Sequence, residues 1–128
     1  MAKRTKAEEL LNFEIAFYEK LVHAYPEFVD ALMPLAEAYT RRGFHEKGLE
    51  VDLKLIKLKA YDPIVWYNMA CSYSLLERIE DAMGALREAV RLGYSDLRHL
   101  RHDPDLAKLR QSPEFNGLLT ELMQRQPS

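Results

Sequence analysis

The chain has 128 residues, of which 48% are hydrophobic and 30% charged, and its formal net charge is −2. This length and composition predict one globular domain. The balance of 18 basic and 20 acidic residues argues against nucleic-acid binding, which normally requires a basic excess on one face. No uncharged apolar run is long enough for a transmembrane helix, so we expect no membrane partner.

The single cysteine, Cys71, cannot form an intrachain disulfide, which predicts a reducing compartment and a cytoplasmic protein. The basic start, Met1-Ala-Lys-Arg-Thr-Lys, is followed by Glu8 and Glu9 where a signal peptide needs its apolar stretch. We therefore expect a frayed tail at this end.

Helix boundaries are clearly marked along the chain. Thr5 with Glu8 forms a capping-box pair, which predicts a first helix from residue 6, and Pro26 ends it. Gly43 and Gly93 fit helix C-terminal stops, because glycine adopts the left-handed conformation without strain. Asp-Pro or Ser-Pro pairs at 62–63, 103–104 and 112–113 are typical helix starts. The predicted helices lie near 6–24, 27–42, 45–59, 63–77, 79–92, 96–102, 104–110 and 113–124.

Residues 29–62 and 63–96 repeat one apolar pattern at an offset of 34 residues. In this register Leu35 aligns with Met69, Ala36 with Ala70, and Tyr39 with Tyr73; Leu32–Trp66, Leu49–Met83, Ile56–Val90 and Leu58–Leu92 follow. A fixed period of this size is the signature of a repeat array, in which each repeat buries its apolar face against its neighbours. The helical alignment predicts an all-α protein.

The second copy reads Trp66-x-x-Met69-Ala70-x-x-Tyr73, then Ala82, Leu86 and Ala89. This pattern resembles the tetratricopeptide repeat. The resemblance implies a right-handed superhelical stack of antiparallel helix pairs, a TPR-like α-solenoid. It also implies a non-catalytic function in protein binding, with a protein or peptide partner that the sequence does not identify.

The segment after Gly93 resembles the closing segment of many bacterial tetratricopeptide proteins. The residues that carry this likeness are Gly93-Tyr94-x-Asp96, Leu100-Arg101-x-Asp103-Pro104-Asp105-Leu106, Leu109-Arg110, Pro113, Phe115 and Leu118-Leu119. It implies C-terminal capping helices. We therefore predict one domain over 1–128, divided into a half repeat (6–28), two repeats (29–62 and 63–96) and a capping tail (97–124).

The resemblance also implies a concave groove lined by the first helix of each repeat. Residues carried over by position to this peptide-binding groove are Met33, Glu37, Arg41, Tyr67, Asn68, Cys71 and Leu75. Tyrosine is a frequent hot-spot residue in interfaces, so Tyr67→Ala is expected to weaken binding by at least about 1–2 kcal/mol while leaving the fold intact. The alternative is that the tail or the first helix folds into this groove and fills it.

Two constellations suggest chemistry, and each has a simpler explanation. His99-x-x-His102-Asp103 has metal-ligand spacing, but no fourth ligand is evident and neighbouring arginines disfavour a cation, which favours surface histidines. Cys71 has no nearby histidine in its repeat, which favours a buried inert thiol over a nucleophile. We predict no enzyme activity, no cofactor and no metal.

Two classes of function remain. The first is an adaptor that binds a peptide or protein segment in the groove. The second is a self-associating structural or scaffold module that uses the exposed face of its N-terminal helix, as a homo-oligomer. The two classes are distinguished by the exposure of three apolar residues of the first helix, Leu10, Phe13 and Phe17. If the following helices cannot cover these side chains, they need a partner.

Overall fold

The computed structural model describes residues 3–125. Over this range it is all helical and contains no β-strand, which confirms the predicted fold class. The start of the predicted frayed tail, residues 1 and 2, lies outside the described residues. The α-helices are α1 (Lys6–Ala24), α2 (Val29–Arg42), α3 (His45–Leu58), α4 (Pro63–Leu75), α5 (Ile79–Arg91), α6 (Leu97–His102) and α7 (Pro113–Arg125). Two 3₁₀ turns, Pro104–Leu106 and Leu109–Gln111, lie between α6 and α7.

The helix ends follow the local signals in the sequence. The hydroxyl of Thr5 accepts a hydrogen bond from the backbone N–H of Glu8 at 3.0 Å. The carboxylate of Asp62 accepts one from Ile64 N–H at 2.9 Å, ahead of Pro63. Gly43 has a φ of +89°, in the left-handed region that glycine adopts with least strain. Each interaction satisfies a terminal backbone group that the helix leaves without an internal partner.

Three boundaries differ from prediction by more than a single residue: the start of α2, the segment 104–110, and the end of α4, which is Leu75 and not residue 77. The helix predicted over 104–110 is instead the pair of 3₁₀ turns. Single 3₁₀ turns are common connectors between helices, and the Asp103 side chain caps the first of them. The second helix begins at Val29 and not at residue 27, with Phe28 as its N-cap residue.

The chain divides into two compact units, one ending at Leu58 and the other beginning at Lys59. In the first unit α1 packs on α2, and α2 packs on α3. Its core includes Leu32, Leu35, Tyr39, Leu49 and Leu55. A methyl group added at Gly48 would lie 3.1 Å from the Thr40 hydroxyl, so glycine allows α2 and α3 to approach closely. The half repeat and most of the first predicted repeat lie in this unit.

In the second unit α4 packs on α5 as an adjacent pair. The tail contacts both: the first 3₁₀ turn lies against α4, and α7 lies against α5. The buried apolar residues of the tail are Leu100, Leu106, Leu109, Phe115, Leu118 and Leu122. They form an apolar inner side of the tail, while the basic and acidic residues between them are mostly exposed. Successive helix pairs with this packing are those of a TPR-like fold.

Candidate functional site

The predicted groove residues of the first unit lie on α2 with accessible side chains. Met33 is half-buried, and Glu37 and Arg41 are exposed. The Arg41 guanidinium contacts the Glu14 carboxylate of α1 at 3.1 Å and the Glu37 carboxylate at 4.0 Å. Ion pairs this exposed contribute little to stability, so the three charged groups remain able to exchange partners.

The predicted groove residues of the second unit divide into two pairs. Asn68 and Leu75 are half-buried on α4. Tyr67 and Cys71 are buried, at 4% and 6% exposure. These two side chains contact Asp103 in the tail of their own unit. The tail therefore occupies the groove positions of Tyr67 and Cys71.

Asp103 is the residue that ties the tail to α4. It is only 8% exposed, and one of its carboxylate oxygens accepts a hydrogen bond from the Tyr67 hydroxyl. The same oxygen lies 3.1 Å from Nε2 of His99 and 3.8 Å from the Cys71 sulfur. Its other oxygen accepts from the backbone N–H of Asp105 at 2.9 Å, which starts the first 3₁₀ turn. A buried carboxylate needs such donors, because an unpaired buried charge is strongly destabilising.

Aromatic stacking reinforces this contact. The rings of Tyr67 and Tyr94 are nearly parallel, with centroids 4.4 Å apart, and the His99 ring lies 5.4 Å from Tyr67. Burial, together with the nearby Cys71 and Asp103, raises the pKa of Tyr67 far above its ordinary value. Burial likewise raises the pKa of Tyr94 to about 12. Tyr67 therefore stays protonated at neutral pH and remains a hydrogen-bond donor to Asp103.

Backbone contacts complete the attachment of the tail. Arg110 donates from Nη1 to the carbonyl oxygens of Asp103 at 2.7 Å and Leu100 at 3.1 Å. The N–H of Leu109 donates to the Ser74 hydroxyl at 3.3 Å. These backbone contacts surround a cluster of side chains that we call the tail anchor: Tyr67, Cys71, Tyr94, His99 and Asp103.

The sequence analysis offered occupation of the groove by the tail as an alternative, but it did not predict the residues of the tail anchor. Motif spacing assigned Asp103 only a helix-capping role and a place beside two histidines. Its position among leucines that become buried, Leu100 and Leu106, was the signal that could have indicated a packed carboxylate.

The candidate metal ligands have other roles in the structure. His99 contacts Asp103, whereas Nδ1 of His102 lies 2.8 Å from the carbonyl oxygen of Arg98, so the two histidines do not converge. Ligand atoms of Cys71, Asp103 and Asp105 lie within 4.8 Å of one another. Asp103 already accepts hydrogen bonds from Tyr67 and Asp105. This arrangement is that of a hydrogen-bonded structural contact.

The largest exposed apolar feature of α1 is a row of three side chains. Leu10, Phe13 and Phe17 are 68%, 73% and 53% exposed, whereas Ile15 is the one buried residue among those described for this helix. The sequence identified these three residues as the deciding ones, and the structure leaves them uncovered by α2. None of the helices within residues 3–125 has both the length and the apolarity needed to cross a membrane.

No family model matches the chain. It is 35% identical over 86 residues to a chloroplastic protein of Arabidopsis thaliana, a match covering 65% of this chain and 26% of the relative. It is 32% identical over 62 residues to a TPR repeat-containing protein of Methanocaldococcus jannaschii, covering 48% of this chain and 11% of that protein. The chain therefore spans about a quarter or less of the length of these relatives.

The second similarity supports the tetratricopeptide resemblance in its general form, a helical repeat suited to protein interaction. The predicted cytoplasmic location is wrong, because the Arabidopsis relative is a chloroplastic protein. The prediction rested on a single cysteine, and a reduced thiol is compatible with any reducing compartment.

Proposed function

We propose that this chain is a non-catalytic protein-interaction module whose binding surface is the exposed face of α1. The observation that carries the proposal is the row formed by Leu10, Phe13 and Phe17, all more than half exposed. Contiguous exposed apolar residues of this size mark interaction sites more often than isolated ones do. The similarity to a repeat-containing protein supports the same class of function.

The spacing of the row suits an α-helical partner. Leu10, Phe13 and Phe17 follow each other at steps of three and four residues, which places them on one face of α1. Aromatic residues are enriched at the energetic centres of protein interfaces. A partner that presents its own apolar helical stripe would bury both phenylalanine rings at once.

The predicted groove positions remain the second candidate for binding. Two of them, Tyr67 and Cys71, are omitted because their side chains belong to the tail anchor. The others offer apolar contact and two charges in the first unit, and an amide and an apolar side chain in the second; each set suits a peptide segment by itself. These remaining positions are Met33, Glu37 and Arg41 in the first unit, and Asn68 and Leu75 in the second.

A plastid is the compartment that we propose for the chain. The support is the chloroplastic relative, which matches over 65% of this chain. Native chloroplast extract is therefore the appropriate source of partners for a binding experiment.

The test is affinity capture from that extract with immobilised chain, comparing the wild type with a Phe13→Ser/Phe17→Ser variant. We expect the variant to lose the captured proteins and to keep its helical circular dichroism, because both side chains are exposed. Tyr61→Ser is the matched control, since Tyr61 is 85% exposed in the other unit. An Arg41→Ala/Asn68→Ala variant tests the groove positions. Loss of capture in that variant alone would refute the α1 surface and favour the groove.

A further inference from the structure

The exposed face of α1 carries three charged side chains, Lys6, Glu9 and Lys20, in addition to its apolar row. At 100° per residue, Glu9, Leu10, Phe13, Phe17 and Lys20 fall within an arc of about 100°. All five side chains are exposed. Within residues 3–125, neither Glu9 nor Lys20 forms an ion pair. This face therefore offers apolar contact flanked by Glu9 and Lys20, with Lys6 about one turn beyond Glu9.

The charges and the aromatic rings share one centre along the helix. The midpoint between Glu9 and Lys20 falls between residues 14 and 15, and the midpoint between Phe13 and Phe17 falls at residue 15. A two-fold axis perpendicular to α1 at this point would bring Glu9 opposite Lys20 of a second copy. The same axis would bring Phe13 opposite Phe17 of that copy. One two-fold axis therefore pairs both the opposite charges and the aromatic rings.

We propose that α1 pairs with α1 of a second copy of this chain in an antiparallel, two-fold symmetric dimer. This inference rests on the proposed function, because it names the partner of the same surface. An interface with two-fold symmetry uses the same patch on both subunits and must be self-complementary, as this face is. A parallel pair would place Glu9 beside Glu9 and Lys20 beside Lys20, and like charges in contact oppose association.

The dimer should be weak and concentration-dependent. Each copy contributes three large apolar side chains on a helix of 19 residues, which is about 28 Å long. Such a contact falls at the low end of the size range of specific interfaces, where dissociation constants of about 10 to 100 μM are expected. The 14.9 kDa chain should therefore shift towards twice its mass as its concentration rises.

The experiment is sedimentation equilibrium of the purified full chain between about 5 and 500 μM, a range that brackets the expected dissociation constant. We expect Glu9→Lys and Lys20→Glu each to weaken the dimer by about tenfold, because each change places like charges together twice per dimer. The double variant Glu9→Lys/Lys20→Glu should recover the wild-type association. Glu121→Lys, an exposed charge on α7, is the matched control and should change nothing.

The outcomes are separable. Monomers at every concentration, or a dimer that persists in Phe13→Ser, would overturn the proposal. Failure of the double variant to recover would also overturn it, since it excludes the antiparallel contact between Glu9 and Lys20. A monomeric chain that still loses its captured proteins in the Phe13→Ser/Phe17→Ser variant would leave the proposed function intact, with a helix of another protein as the occupant. The circular dichroism of every variant should match the wild type.

Discussion

Glu77 adopts the backbone conformation that glycine adopts one period earlier. Its φ is +60°, and Gly43, 34 residues before it, has a φ of +89°. Both residues follow the first helix of a repeat, where the chain turns into the second helix. A left-handed conformation is strained for any residue with a side chain, so the second repeat carries a local cost that the first avoids.

Replacing Glu77 with glycine should relieve this strain. Glu77→Ala serves as the reference, because it also removes the 3.2 Å ion pair between Glu77 and Lys108 but keeps a Cβ atom. We expect Glu77→Gly to be more stable than Glu77→Ala by about 1 kcal/mol, as measured from urea denaturation. Equal stability of the two variants would show that the turn is not strained.

Because of the tail anchor, the free energy of unfolding should decrease at alkaline pH. The pKa of Tyr67 is raised by burial and by its neighbours, and burial raises the pKa of Tyr94 to about 12. An unfolded tyrosine ionises near pH 10. The folded chain therefore retains protons that the unfolded chain releases, so the stabilisation is complete below about pH 10 and is lost as the pH rises towards 12.

We expect the urea midpoint to fall between about pH 10 and 12, and to fall less in a Tyr67→Phe variant, which lacks one of the titrating groups. That variant should also lose about 1–3 kcal/mol of stability at neutral pH, because Asp103 loses a donor. Tyr61→Phe is the control, since Tyr61 is 85% exposed. An identical alkaline profile for Tyr67→Phe and the wild type would contradict this role.

At the scale of elements, the tail supplies the apolar cover of the second unit. Phe115, Leu118 and Leu122 repeat along α7 and are at most 3% exposed. Their burial depends on α5, the helix against which α7 packs. In a repeat array the last repeat needs a cap with a polar outer side, and the exposed residues of α7 provide one.

Deleting residues 95–128 should therefore expose the apolar side of α5, including Val90, and remove Asp103 and His99 from the surroundings of Tyr67. We expect aggregation or a molten state, observed as dye binding and loss of the near-ultraviolet circular dichroism. Phe115→Ser should reproduce part of the effect, whereas Glu121→Ser on the exposed side of α7 should not. A truncated chain that remains monomeric and unfolds cooperatively would refute the capping role.

At the scale of the whole molecule, burial is unevenly distributed among the helices. One of the 19 residues of α1 is buried, compared with seven of the 13 residues of α4. Local stability follows the density of buried apolar contacts, so α1 receives much less support from packing than α4 does. A second molecule on the exposed face of α1 would supply the missing contacts.

Amide hydrogen exchange should report this difference. We expect α1 to exchange much faster than α4 in dilute solution, and to become protected as the concentration rises and α1 pairs with a second copy. The protection of α4 should not change with concentration, which makes it the internal control. Equal protection of the two helices in dilute solution would contradict the inference that packing stabilises α1 less than α4.

The sequence alone determined most of the helices, most of their ends and the period. Thr5, Asp62, Gly43 and Gly93 act on backbone groups a few residues away, so their effects can be predicted without knowing the path of the chain. The aligned apolar positions at a spacing of 34 residues likewise predicted helix pairs. The boundaries that shifted by more than one residue, at 27–29, 75–77 and 104–111, are those where short segments balance local preference against packing.

Only the tertiary structure decided which predicted groove residues are accessible. Tyr67 and Asp103 are 36 residues apart, and their contact depends on the route that the tail takes over α4. That route is set by the joint burial of leucines in the tail, which is a property of the packed unit and not of any local spacing. Tyr67 is therefore part of an intramolecular contact, whereas Phe13 and Phe17 remain exposed on α1 because no helix of their unit packs over them.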